Sequence, residues 1–132
     1  MRIGELARAT GTKAETIRYY EREGILPAAD RTDSNYRDYS DSHLATLTFV
    51  RRARGLGFSM AHVRRLLALS EHEEKPCTDV DRLVRQQMQE VEEKIADLTS
   101  LHKELRDLMR SCEGDLIRDC RIVESLSHRR PR

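Results

Sequence analysis

Cys77, Cys112 and Cys120 are the residues of this 132-residue chain best suited to chemistry. A cytosolic chain keeps its thiols reduced and the count is odd, so these three read as buried filler or ligands rather than as a disulfide framework. Thiolate sulfur is a soft donor that suits zinc, cadmium, lead, mercury or cuprous copper and disfavours magnesium and calcium. Cys77 and Cys112 stand 35 residues apart at the two ends of a segment that reads as one helix. At ~1.5 Å rise per residue they are separated by roughly 50 Å along the rod, so one chain cannot close a site from both. Two such helices paired antiparallel in a symmetric dimer set the start of each beside the end of the other. Cys77 of one protomer then approaches Cys112 of its mate, and the site occurs twice. Cys120 follows Cys112 after seven residues, a loop long enough to bring both thiolates to one ion. The expected donor set is Cys77, Cys112 and Cys120. His72 or water would supply a fourth ligand for zinc, although His72 also reads as a solvated surface histidine.

The rod itself is written in its apolar spacing. Val84, Met88, Val91, Ile95, Leu98, His102, Leu105, Met109 and Cys112 recur alternately four and three residues apart, a heptad seam that starts its helix at Thr78 or Asp79. A single helix cannot bury such a stripe, so the seam calls for a partner, most simply a second copy of the chain. His102 reads as a tolerated polar residue of that interface. Glu113 to Asp115 end the helix, Ile122 to Leu126 can form one more turn, and the tail from Ser127 to Arg132 reads as frayed.

Ahead of the rod, residues 3–9 and 14–23 read as two short helices broken at Thr10-Gly11-Thr12 and closed by Gly24. Ala7, Gly11 and Ile17 occupy the small, turn and core positions of a helix-turn-helix; an ordinary helical hairpin is the other reading. Pro27 to Tyr39 reads as a short β-hairpin or wing. Helices follow at about 41–54, capped by Ser40 or Asp41, and about 59–70, capped by Ser59. Arg51, Arg52 and Arg54 crowd the end of the first of these, either compensating its dipole or contacting phosphate. Charge supports a binding role for this half: residues 1–69 carry 12 Lys and Arg against 8 Asp and Glu, whereas residues 70–132 carry 12 against 15.

Four stretches carry a family resemblance: Ile3-Gly4-Glu5-Leu6-Ala7, Thr16-Ile17-Arg18-Tyr19-Tyr20-Glu21, the wing from Arg31 to Tyr39 with Asn35-Tyr36-Arg37, and Arg54-Gly55-Leu56-Gly57-Phe58-Ser59. Over essentially the whole chain these residues resemble the MerR family of metal-sensing regulators. The resemblance implies an all-α fold with a small β wing: a winged helix-turn-helix domain (1–70), a linker and long antiparallel coiled-coil dimerisation helix (71–112), and a metal-binding loop and tail (113–132). It implies that Thr16, Arg18 and Tyr20 face DNA from the second helix, with Tyr20 rather than Tyr19 the DNA-facing member of the tyrosine pair, and that Arg31, Tyr36 and Arg37 grip backbone from the wing. Arg18 is the best placed for a base or phosphate contact, while the wing arginines set register and carry salt dependence.

The implied function is transcriptional activation of metal resistance or efflux genes. A homodimer binds a palindromic promoter with an overlong spacer, and the metal-bound form untwists the duplex so that RNA polymerase engages both hexamers. A cysteine at the position of Cys77 is similar to the branch sensing zinc, cadmium, lead or mercury. Copper(I) sensors carry serine there and use two cysteines, and the seven-residue interval between Cys112 and Cys120 is similar to theirs. A thiol redox response is a third reading. The start of the chain has no apolar export segment, and no stretch approaches the roughly 18 apolar residues that span a bilayer. This places the protein in the cytoplasm, away from membranes. No nucleophile is paired with a base, so an enzyme is not expected.

Overall fold

The computed structural model describes residues 1–111 and 116–127. Its elements are α1 (Ile3–Thr10), α2 (Ala14–Arg22), β1 (Asp30–Arg31), β2 (Arg37–Asp38), α3 (Asp41–Gly55), α4 (Met60–Ser70), α5 (Thr78–Ser111), a 3-10 turn (Ile117–Asp119) and α6 (Arg121–Ser127). The expected mostly helical architecture with a small β wing is borne out. Cys112, the helix stop expected at 113–115 and residues 128–132 of the expected tail lie outside the described residues, while Ser127, expected to begin that tail, is the last residue of α6.

Gly11 ends α1 with φ 64°, in the left-handed region that a side chain disfavours, and its N–H donates to the Ala7 carbonyl. This is the turn that the spacing of Ala7, Gly11 and Ile17 anticipates. Ser40 precedes α3 and its N–H donates to His43 Nδ1 at 3.0 Å. With that nitrogen accepting, Nε2 carries the ring proton and donates to the Pro27 carbonyl at 2.9 Å. His43 thus ties the entry of the wing to the first turn of α3. Ser59 caps α4 by accepting the His62 N–H at 3.2 Å.

The strands pair antiparallel with Asp30 opposite Asp38 and Arg31 opposite Arg37. Asn35 turns the hairpin at φ 64°, and the Thr32 N–H closes it on the Tyr36 carbonyl at 2.7 Å.

Two apolar clusters hold this part together. Leu6, Ile17, Leu26, Tyr39 and Leu47 form one; Ile25, Val50, Ala53, Phe58, Val63, Leu66 and Leu83 form the other. Helix α3 feeds both, and the Tyr20 ring packs against each. The chain divides into compact units at Met1–Gln87 and Met88–Arg132. The first takes in the start of α5 because Leu83 is buried in its core and Gln87, also buried, donates from Nε2 to the Leu56 carbonyl at 2.9 Å. That bond passes beside Gly57, whose φ is 88° and where an added Cβ would stand 2.5 Å from the same Nε2.

In the second unit α5 leaves its apolar positions in solvent: Ile95 is 57% exposed, Leu98 64% and Met109 75%. No described helix is long and apolar enough to cross a membrane.

Candidate nucleic-acid interface and cysteine positions

The first unit gathers four of the six expected DNA-facing residues in one place. Arg18 on α2 and Arg31, Tyr36 and Arg37 in the wing line a single cleft, together with Arg2, Ile3 and Asn35. The α2 helix presents Arg18 to solvent because Ile17, one residue earlier, is fully buried. Arg31 donates through Nη1 to the Asn35 carbonyl at 3.1 Å, which fixes it within the hairpin. Arg37 approaches Glu21 on α2, Nε to Oε2, at 3.3 Å. Glu21 is nearly buried and its other oxygen accepts the Ala29 N–H at 3.1 Å, so Arg37 also clamps the wing to α2.

Thr16 and Tyr20 lie elsewhere. They line a second cleft with Gly11, Thr12, Lys13, Arg51 and Arg54. Tyr20 is half-buried and holds both core clusters together, whereas Tyr19 is the exposed member of the pair at 47%. Arg51 donates from Nη1 to the Thr10 carbonyl at 2.5 Å and Arg54 to the Phe58 carbonyl at 2.9 Å. Arg51 thus satisfies the last carbonyl of α1, and Arg54 a carbonyl in the turn between α3 and α4.

Arg2 was not singled out by the sequence. Its guanidinium stacks 4.1 Å from the centroid of the Tyr36 ring, a contact across 34 positions that no local pattern announces. The Met1 ammonium next to it pairs with Asp38 at 2.7 Å and donates to the Tyr39 carbonyl at 2.7 Å, pinning β2 to the start of α1. The hydrogen bond from that ammonium, and then its charge, hold the Asp38 carboxyl below its ordinary pKa. Because the folded value is depressed, the stabilisation is present above the unfolded pKa of Asp38 and is lost as pH falls through the folded one. Asp38→Asn is expected to flatten acid denaturation of the wing in that window, followed by amide exchange of Tyr39. An unchanged acid limb would show that the pair is electrostatically idle. Burial, and then the Glu21 carboxylate, push the Tyr39 phenol up, which keeps its ring neutral in the core.

Cys77 is exposed and stands immediately before α5, where its carbonyl accepts the Asp81 N–H at 2.8 Å. The thiol itself is left accessible. Cys120 is half-buried between the 3-10 turn and α6. Among the described residues, no three His, Cys, Asp or Glu side chains come together to hold an ion within one chain. His72 lines an exposed acidic turn with Glu71, Glu73, Glu74 and Lys75.

Comparison with known proteins agrees with this geometry. A family model described as "MerR HTH family regulatory protein" matches residues 1–70, and a second, "MerR, DNA binding", matches residues 44–108. The heavy metal-dependent transcription regulator 2 of Rhizobium meliloti (strain 1021) is 40% identical over 97% of this chain and 87% of its own length. The crystal structure of the transcription regulator PbrR691 from Ralstonia metallidurans CH34, in complex with lead(II), superposes with a TM-score of 0.82 at 39% identity, covering 96% of this chain and 99% of that one. The regulator MerR of Bacillus megaterium MB1, in complex with mercury(II), gives a TM-score of 0.76 at 32% identity over 97% of this chain and 100% of its own. With the helix-turn-helix, the wing and the long helix matched together, the chain belongs to the MerR family of helix-turn-helix regulatory proteins, which are DNA-binding transcription regulators rather than enzymes.

Proposed function

We propose that this protein is a metal-responsive activator whose homodimer holds a soft divalent ion, Cd, Pb, Zn or Hg, between Cys77 of one protomer and Cys112 and Cys120 of the other. The observation that carries the reading is an accessible thiol placed directly before a 34-residue helix whose heptad stripe stands in solvent. Such a stripe is stable when a second copy covers it, and an antiparallel partner brings the other two cysteines toward Cys77. The relatives crystallised with lead(II) and mercury(II) support a soft ion.

In this reading residues 1–70 bind the promoter through Thr16, Arg18, Tyr20, Arg31, Tyr36 and Arg37. Residues 71–112 join the protomers, and residues 113–132 form the metal loop. The bound ion cross-links the two chains and favours the dimer shape for which it has the higher affinity. That shape untwists a palindromic promoter in the cytoplasm so that RNA polymerase engages it, turning on resistance or efflux genes.

The test is metal binding to the reduced dimer, following thiolate-to-metal absorption with Zn, Cd, Pb, Hg and Cu(I) in the wild type and Cys77→Ser. Tight divalent binding at one ion per protomer, weakened at least tenfold by Cys77→Ser, is the expected result. The seven residues between Cys112 and Cys120 favour a second reading, a copper(I)-responsive regulator using those two cysteines alone. Tight binding of Cu(I) only, indifferent to Cys77→Ser, would establish it in place of the first.

A further inference from the structure

The cleft between α1, α2 and the wing collects more positive charge than the packing of the fold requires. Arg2, Arg18, Arg31 and Arg37 all line it, no Asp or Glu is among its lining residues, and its volume is about 240 Å³, enough for a phosphate group and its hydration. Arg37 is shared with Glu21 and Arg31 with the Asn35 carbonyl. Arg2 is held by the neutral face of Tyr36 at 4.1 Å, with the Asp38 carboxylate near enough to feel its charge. A ring face orients a guanidinium without neutralising it, leaving its charge and its planar fork of donors available. Gathering four guanidinium groups carries a Coulombic cost that a bound anion relieves. Phosphate oxygens match the guanidinium fork in geometry as well as charge.

We propose that this cleft is a preformed site for one phosphodiester group, and that Arg2, stacked on Tyr36, is the residue that completes it. The proposal rests on the DNA-binding reading above and adds a contact from the α1 side, outside both the second helix and the wing. A phosphate contact positions the protein without reading a base, so its effect is independent of sequence. The same chemistry would admit free inorganic phosphate, and the experiment separates the two sources.

Binding to a duplex of arbitrary sequence is measured against salt concentration for the wild type, Arg2→Ala, Arg2→Lys and, as a charge control on α5, Arg82→Ala. In parallel, inorganic phosphate is titrated into the DNA-free protein while the arginine Nε–H NMR signals are followed. Arg2→Ala is expected to weaken duplex binding about tenfold and to lower the log–log salt slope by about one per protomer, with an unchanged thermal midpoint. Arg2→Lys is expected to recover the slope but only part of the affinity, and Arg82→Ala to leave the slope alone. Inorganic phosphate is expected to move the Arg2 and Arg18 signals of the wild type and to lose that effect in Arg2→Ala. If the wild type binds duplex and Arg2→Ala matches it in affinity and slope, the phosphodiester assignment is overturned, even when free phosphate binds. If the wild type binds no duplex while phosphate still shifts those signals, the anion site stands and the DNA-binding reading falls. No phosphate response together with no Arg2 effect overturns the site altogether.

Discussion

Replacing Ile95 and Leu98 together by aspartate is expected to yield a monomeric chain whose affinity for a palindromic duplex is lower by ~10²–10⁴-fold, the avidity that linking two half-site readers contributes. Both side chains sit in the heptad stripe and are more than half exposed in the single chain, so the substitutions leave the first unit's core untouched. Fully burying one aliphatic side chain of this size contributes roughly 1.5–3 kcal/mol, and a symmetric dimer loses each position twice. An aspartate brought into that seam would also have to leave water for an apolar surface. Sedimentation reports the oligomeric state and duplex titration the affinity. A double variant that remained dimeric at micromolar concentration would show that the stripe is not the dimer interface. Retention of metal binding by the monomer would place all the ligands within one chain.

The second large effect concerns the helix-turn-helix. Ile17→Ala is expected to destabilise the first unit by about 3 kcal/mol, in the middle of the range for emptying a buried isoleucine site. Ile17 is fully buried and its neighbours Leu6, Leu26, Tyr39 and Leu47 come from α1, the wing connections and α3, so no single segment can move in to fill the space. Small domains are stable by only ~5–15 kcal/mol in total, and a loss of this size lowers the urea midpoint by about 1.5 M if the slope is near 2 kcal/mol/M. Far-UV circular dichroism against urea measures it. Because Arg18 is carried on the same turn, duplex affinity should fall in step with the folded fraction. A midpoint within about 0.3 M of the wild type would mean that the site collapses around alanine, contrary to the packing described here.

Much of the fold was legible because short-range rules dominate where the chain is most helical. The Gly11 turn, the Ser59 cap and the four-three spacing along α5 are local signals, and each appears where it was expected. The choice between Ser40 and Asp41 as cap was settled by His43, whose ring takes the place that Glu or Gln usually fills. Tyr20 shows how spacing alone sets a core contact. It stands three residues after Ile17, on the same helix face, and that periodicity accounts for its packing against both clusters. Similarly, Val80, Leu83 and Gln87 form an inward face at the start of α5, distinct from the Val84 and Met88 seam, which carries the first unit past the end of α4. What could not be read are the contacts joining distant positions: Arg2 to Tyr36, the Met1 ammonium to Asp38, Arg51 to Thr10. None has a periodic signature, and each exists only once the wing has folded onto α1 or α3 onto α2's neighbour.

Gly57 and Gln87, thirty positions apart, constrain one another in a way that bears on how such chains diverge. The glycine is needed twice over, for its backbone angle and for the space its missing Cβ leaves to the glutamine amide. Among the described residues, no side chain other than the glutamine comes within 4 Å of that space. A lineage that shortens residue 87 relaxes just one of the two demands on residue 57, since the left-handed backbone would still penalise a side chain there. The order of change is therefore asymmetric: position 87 can change first, at the cost of its bond to the Leu56 carbonyl, and position 57 can follow only if the turn between α3 and α4 is rebuilt.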